Sequence, residues 1–135
     1  MRESFARIPI RDNQPSAFSR VLEIFYGGNM EVDAAIVFDR SGETVDYHSY
    51  IDPYDARLVA AHMGIIYNLT QFKVNWLAQA KLHMIEIAFE GFYAITNHIW
   101  DEYYLLVIAK PENADPVLLD VVAGSLEALR QEIGS

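Results

Sequence analysis

Four histidines and a group of aspartates are the residues here whose types could do chemistry. His48, His62, His83 and His98 are chemically able to hold a metal or move a proton. No two of them stand three or four residues apart, the spacing that sets two imidazoles on one helix face, and none joins a carboxylate cluster at such a spacing. Strand residues can still converge in a sheet, but most histidines are surface or partly buried groups, and that is the reading taken for these. Asp39, Asp46, Asp52 and Asp55 form the densest carboxylate group. Asp39 suits a turn, Asp52 a helix cap and Asp55 the positive end of a helix, and the regular ligand spacing of a calcium loop is missing. Ser41-Gly42 lacks the surroundings of a nucleophile elbow. Gly27-Gly28 has no lysine after it, and it ends a helix where a phosphate cradle would begin one. Asn68-Leu69-Thr70 matches a glycosylation triplet but falls inside an expected helix. Asp120, Glu127 and Glu132 read as a solvated helix face. No catalytic residue, cofactor or metal ligand is assigned on this reading, and a non-enzymatic role is expected.

Composition narrows the class further. A chain of 135 residues with 52% hydrophobic content is expected to fold as one domain. At this size it can bury roughly two thirds of its unfolded surface, so it needs no covalent staple. It has no cysteine, which excludes disulfides, thiolate metal sites and a cysteine nucleophile. The net charge of −9 argues against nucleic acid and anionic lipid as partners and suits a basic one. No apolar run reaches the roughly 18 residues of a membrane span, and no signal peptide opens the chain. A soluble, cytoplasmic protein without membrane insertion is the expectation.

The elements follow from pattern. Residues 1–14 read as an N-terminal arm, docked through Ile8 and Ile10, ahead of a domain over residues 15–135. Ser16 is placed to cap a helix whose stripe is Phe18, Val21, Leu22 and Phe25, ended by Gly27-Gly28. The apolar run Ala34 to Phe38, the turn from Asp39 to Gly42, and Thr44 to Tyr50 predict a bulged β-hairpin. Asp52-Pro53 opens a second helix running to about Phe72 or a little beyond. That helix carries two apolar stripes. Leu58, His62, Ile65, Leu69 and Phe72 make one; Val59, Met63, Ile66 and Tyr67 make the other. One sheet needs only one stripe. The second is to be covered by a partner helix or by residues 68–80 folding over it, and the partner is the more economical answer.

From Lys81 the period changes to two. His83, Ile85, Ile87 and Phe89 alternate with Met84, Glu86, Ala88 and Glu90. Gly91 turns the chain into a strand over 92–99, and the wholly apolar YYLLVIA of 103–109 predicts a central strand. Asp115-Pro116 opens a last helix with Val117, Leu118, Val121, Val122, Leu126, Leu129 and Ile133 on its apolar face. The order α-β-β-α-β-β-β-α suits an α+β sandwich with a five-stranded antiparallel sheet flanked by helices.

With that order, the apolar strand ending in Asp39 and Gly42, the helix after Pro53, Gly91, and the run IWDEYYLLVIAKPENADPVLLDVVAGSLEAL, residues 16–133 resemble the roadblock (dynein light chain roadblock) family of the longin-like and profilin-like folds. Asp115-Pro116, where the family often has Asn, Leu and Gly, and the aromatic residues Tyr67, Phe72 and Trp76 depart from the family pattern. The resemblance implies a homodimer, or a heterodimer with another roadblock subunit. In such dimers the third strands pair across the interface and the second helices pack side by side. Here that points to Val59, Met63, Ile66 and Tyr67 on the helix and to Leu82, Met84, Glu86 and Ala88 on the strand. It also implies scaffolding or regulation of a small Ras-like GTPase, with any stimulation of GTP hydrolysis achieved without an arginine finger. The alternative is a profilin-like or PAS-like domain that senses a small ligand, which would be a monomer with a sizeable internal cavity. His62, set on an apolar stripe, would make self-association pH-dependent. The midpoint of association is then expected to shift across about pH 5.5 to 8, where histidine titrates, and a constant midpoint would exclude that role.

Overall fold

The computed structural model describes residues 9–10 and 14–134. The strands are β1 (Val32–Asp39), β2 (Thr44–Ser49), β3 (Met84–Phe89), β4 (Phe92–Trp100) and β5 (Tyr103–Ala109). The helices are α1 (Ser19–Tyr26), α2 (Pro53–Ala78) and α3 (Pro116–Ile133), with one 3₁₀ turn at Pro111–Asn113. The strands form one antiparallel sheet in the order β2-β1-β5-β4-β3, so the apolar β5 is central and β3 lies at an edge.

Turn and cap chemistry sets the element boundaries. Gly42 N–H donates to the Asp39 carbonyl at 2.8 Å, and Gly42 has φ +87°, which a side chain would strain. Asp39 Oδ1 accepts from Ser41 N–H at 2.9 Å and Glu43 N–H at 3.1 Å. The hairpin bulges between Val37 and Phe38, as the sequence predicts. Asp52 and Asp115 cap α2 and α3 through the Tyr54 and Leu118 amides, each followed by proline at the first helical position. Ser16 departs from its expected role. Phe18 is the N-cap of α1 and makes no side-chain cap bond, while Ser16 sits in the turn before it and its Oγ accepts from Phe18 N–H at 3.1 Å.

Alternation along the strands divides the core into two layers. Val32, Ala35, Val37, Ile95, Leu105 and Val107 pack with α1 and α3 on one face. Ala34, Ile36, Phe38, Leu106 and Ile108 pack with α2 on the other. The α1–α3 layer is pinned by Tyr26 Oη and Ser125 Oγ, 2.6 Å apart and buried. The outer edge of β2 meets the arm at Ile10, whose N–H donates to the Ser49 carbonyl at 2.8 Å; Ile8 lies outside the described residues.

One buried carboxylate ties α1 to the sheet. Asp46, fully buried on β2, accepts from Ser16 N–H at 3.1 Å, from Ser16 Oγ–H at 2.7 Å and from Ser19 Oγ–H. These donors replace the water that a carboxyl group loses on burial. Asp46→Ala strands them, and the expected loss is about 3 kcal/mol, read from urea unfolding. A loss below about 1 kcal/mol would show that α1 is held by apolar packing alone.

Candidate functional site

Helix α2 holds 26 residues and so extends about 39 Å at 1.5 Å per residue, further than its sheet contacts require. Its buried residues are Pro53, Ala56, Ala60, Met63, Gly64 and Tyr67, and none lies beyond Tyr67. Small residues bring the helix close to the sheet. A Cβ on Gly64 would stand 3.1 Å from the Phe38 ring, and one on Gly42 would stand 3.4 Å from Ala61 Cα.

The two stripes of α2 are therefore used in the opposite sense to the expected one. Met63 and Tyr67, expected at a partner interface, are buried against the sheet, with Tyr67 packed edge-on to Tyr104 at 5.0 Å. Val59 and Ile66 are half-buried along the same seam. The stripe that faces away is Leu58, His62, Ile65, Leu69 and Phe72, and it continues to Trp76 and Leu77. Phe72 is 66% exposed and Trp76 76% exposed, large values for such apolar side chains. The helix runs six residues past Phe72 to Ala78, which adds Trp76 to the exposed stripe. Its place four residues after Phe72 was the available signal.

The strand half of the expected site is at the surface. Met84, Glu86 and Ala88 are exposed and share one face of β3, where Glu86 accepts a hydrogen bond from the Tyr93 hydroxyl. Leu82, Ile85 and Ile87 are half-buried toward α2. Strand β3 pairs with β4 on one side and with no described strand on the other. A flat apolar edge of this kind is a template for another strand unless something covers it.

The link between α2 and β3 holds the helix beside that edge. Gln79 closes α2 in the left-handed conformation at φ 50°. Gln71 then bridges helix and link, accepting from Leu82 N–H at 2.8 Å and donating to the Ala80 carbonyl at 3.1 Å. Tyr67 Oη–H donates to the Leu82 carbonyl at 2.5 Å. These bonds tie the C-terminal half of α2 to the residues that lead into β3. Among the described residues no group of three or more His, Asp or Glu side chains is placed to hold a metal ion, and no helix is long and apolar enough to cross a membrane.

Neither a protein-family model nor a curated protein matches the sequence. Solved structures do match. A roadblock/LC7 domain from Streptomyces avermitilis superimposes with a TM-score of 0.75 at 16% identity, over 86% of this chain and 97% of that one. MglB of Myxococcus xanthus superimposes with a TM-score of 0.78 at 7% identity, over 90% of this chain and 98% of that one. The gliding protein MglB of Thermus thermophilus gives 0.73 at 16% identity, over 89% and 93%. At such identities the likeness is one of fold, and the fold is the roadblock fold.

Burial raises the Tyr67 hydroxyl from 10.0 to about 12, with the neighbouring Tyr104 adding to the shift. The folded state thus holds this proton more tightly than the unfolded chain. The stability it contributes is complete below pH 10.0 and is lost as pH rises to about 12. The urea midpoint is expected to fall less steeply over that range in Tyr67→Phe than in the wild type. Equal slopes would remove Tyr67 as a source of the alkaline sensitivity.

Proposed function

We propose that this protein is a non-enzymatic dimeric regulator or scaffold of a small Ras-like GTPase. One observation carries the dimer: a single chain exposes both the stripe Leu58, Ile65, Leu69, Phe72 and Trp76 and the edge of β3, which has no described strand partner. A second copy offers the same two features, so a two-fold pairing would cover both at once. Paired β3 strands would extend the sheet from five strands to ten. Antiparallel pairing would satisfy the edge amides and carbonyls, and the outer stripes of the two α2 helices would pack together. A roadblock subunit of different sequence is the other occupant that fits. A solved MglB has a tetrameric arrangement, which supports assembly as a property of this fold.

The GTPase reading rests on the roadblock fold, on the match to the gliding proteins, and on a surface better suited to protein contact than to chemistry. Any stimulation of hydrolysis would come from ordering the GTPase's own residues. Arg57 at the start of α2 lies over the Tyr47 ring at 5.2 Å, packed against its own domain.

The test is size-exclusion chromatography with light scattering. The wild type is expected to be a dimer at micromolar concentration. Leu69→Glu with Phe72→Glu removes two exposed apolar anchors, each contributing about 1.5–3 kcal/mol when buried, and so weakens association at least about a hundredfold. The variant should stay folded because both positions are exposed in one chain. Met63→Glu, by contrast, is expected to unfold the domain. A wild-type monomer, or a dimer indifferent to the double substitution, would reject this interface.

A further inference from the structure

We infer that the cleft between the C-terminal half of α2 and the β4–β5 turn binds a small organic anion, a phosphate or carboxylate carried on a flat ring. The cleft is open to solvent and has a volume of about 460 Å³, within the range of small-ligand sites. Arg40 from the β1–β2 turn, Lys81 from the α2–β3 link and His98 from β4 line it, together with Tyr67, Trp100 and Tyr104. Asp101 supplies the one carboxylate of the lining. This reverses the balance of the whole chain, in which 19 acidic residues outnumber 10 lysines and arginines.

Neither Arg40 nor Lys81 makes an ion pair among the described residues. Two like charges facing one concave surface repel each other, and an anion between them turns that repulsion into attraction. Arginine offers a planar fork matched to the oxygens of a carboxylate or phosphate, and lysine adds a mobile point charge. The wall behind them is ordered. His98 Nε2–H donates to the Asp101 carbonyl at 2.7 Å, and its ring lies 5.2 Å from that of Tyr104. Trp100 is 62% exposed at the rim, leaving its indole open to a flat partner. Charge recognition and a stacking surface therefore meet in one cleft. The cleft is built within a single chain.

The chain has two tryptophans, so Trp76→Phe leaves Trp100 as the only indole and its fluorescence as a local reporter. That protein would be titrated with adenosine monophosphate, with benzoate and with adenosine. A saturable change with the phosphate, the carboxylate or both, and none with adenosine, is expected, and the responding acid identifies the oxyanion. Adding Arg40→Gln and Lys81→Gln should weaken the response at least about tenfold with unchanged circular dichroism. No saturable change with either acid, an equal response to adenosine, or an equal response after the double substitution would overturn the site.

Discussion

The structure depends on how a long helix with two apolar stripes meets a sheet that can cover only one. The choice is made by size. Ala56, Ala60 and Gly64 let the axis of α2 approach β1 so closely that a methyl group at Gly64 would press on Phe38. Met63 and Tyr67 then fill the spaces on either side. The bulkier stripe of Leu58, Ile65, Leu69, Phe72 and Trp76 is left outside. Turning the helix to bury it would push α2 away from the sheet and lose the dense packing that interiors require. The apolar surface that remains is therefore a consequence of good packing within the domain.

Much of this was legible in the sequence. Each strand, the N-caps of α2 and α3 and the bulged hairpin follow from local chemistry: Asp39 and Gly42 in the turn, Asp52-Pro53 and Asp115-Pro116 at the helix starts, period-two alternation from Met84 to Phe89. The two stripes of α2 were legible as well. Their assignment was not, because it was judged by which residues are apolar, and both stripes are. The deciding signal is the run of small residues Ala56, Ala60 and Gly64 beside Met63 and Tyr67, which marks the face of closest approach. The family resemblance pointed to Leu82, Met84, Glu86 and Ala88 as interface residues, and in one chain they are exposed or half-buried. The cleft lined by Arg40, Lys81, His98 and Trp100 was beyond reach, since these residues come from three separate segments that only the tertiary fold brings together.

Polar groups do a different task from the apolar core. Asp46 locks α1 to β2 on one face of the sheet, while Tyr67 and Gln71 fasten α2 to the start of β3 on the other. These bonds fix where elements sit more than they add net stability, since each replaces a bond to water. In the proposed dimer, the Tyr67–Leu82 and Gln71–Leu82 bonds would fix the C-terminal half of α2 relative to the start of β3. A partner that needs both surfaces meets them already arranged, with little ordering cost on binding.

The central claim is that β3 is an open edge in one chain and a paired strand in the assembly. Amide hydrogen exchange of residues 82–90, followed by mass spectrometry as the protein is diluted, tests it most directly. The account predicts strong protection of this segment at high concentration, lost on dilution while the central strands β1 and β5 stay protected throughout. Exchange in residues 82–90 that is fast at every concentration, or protected without regard to dilution, would contradict it.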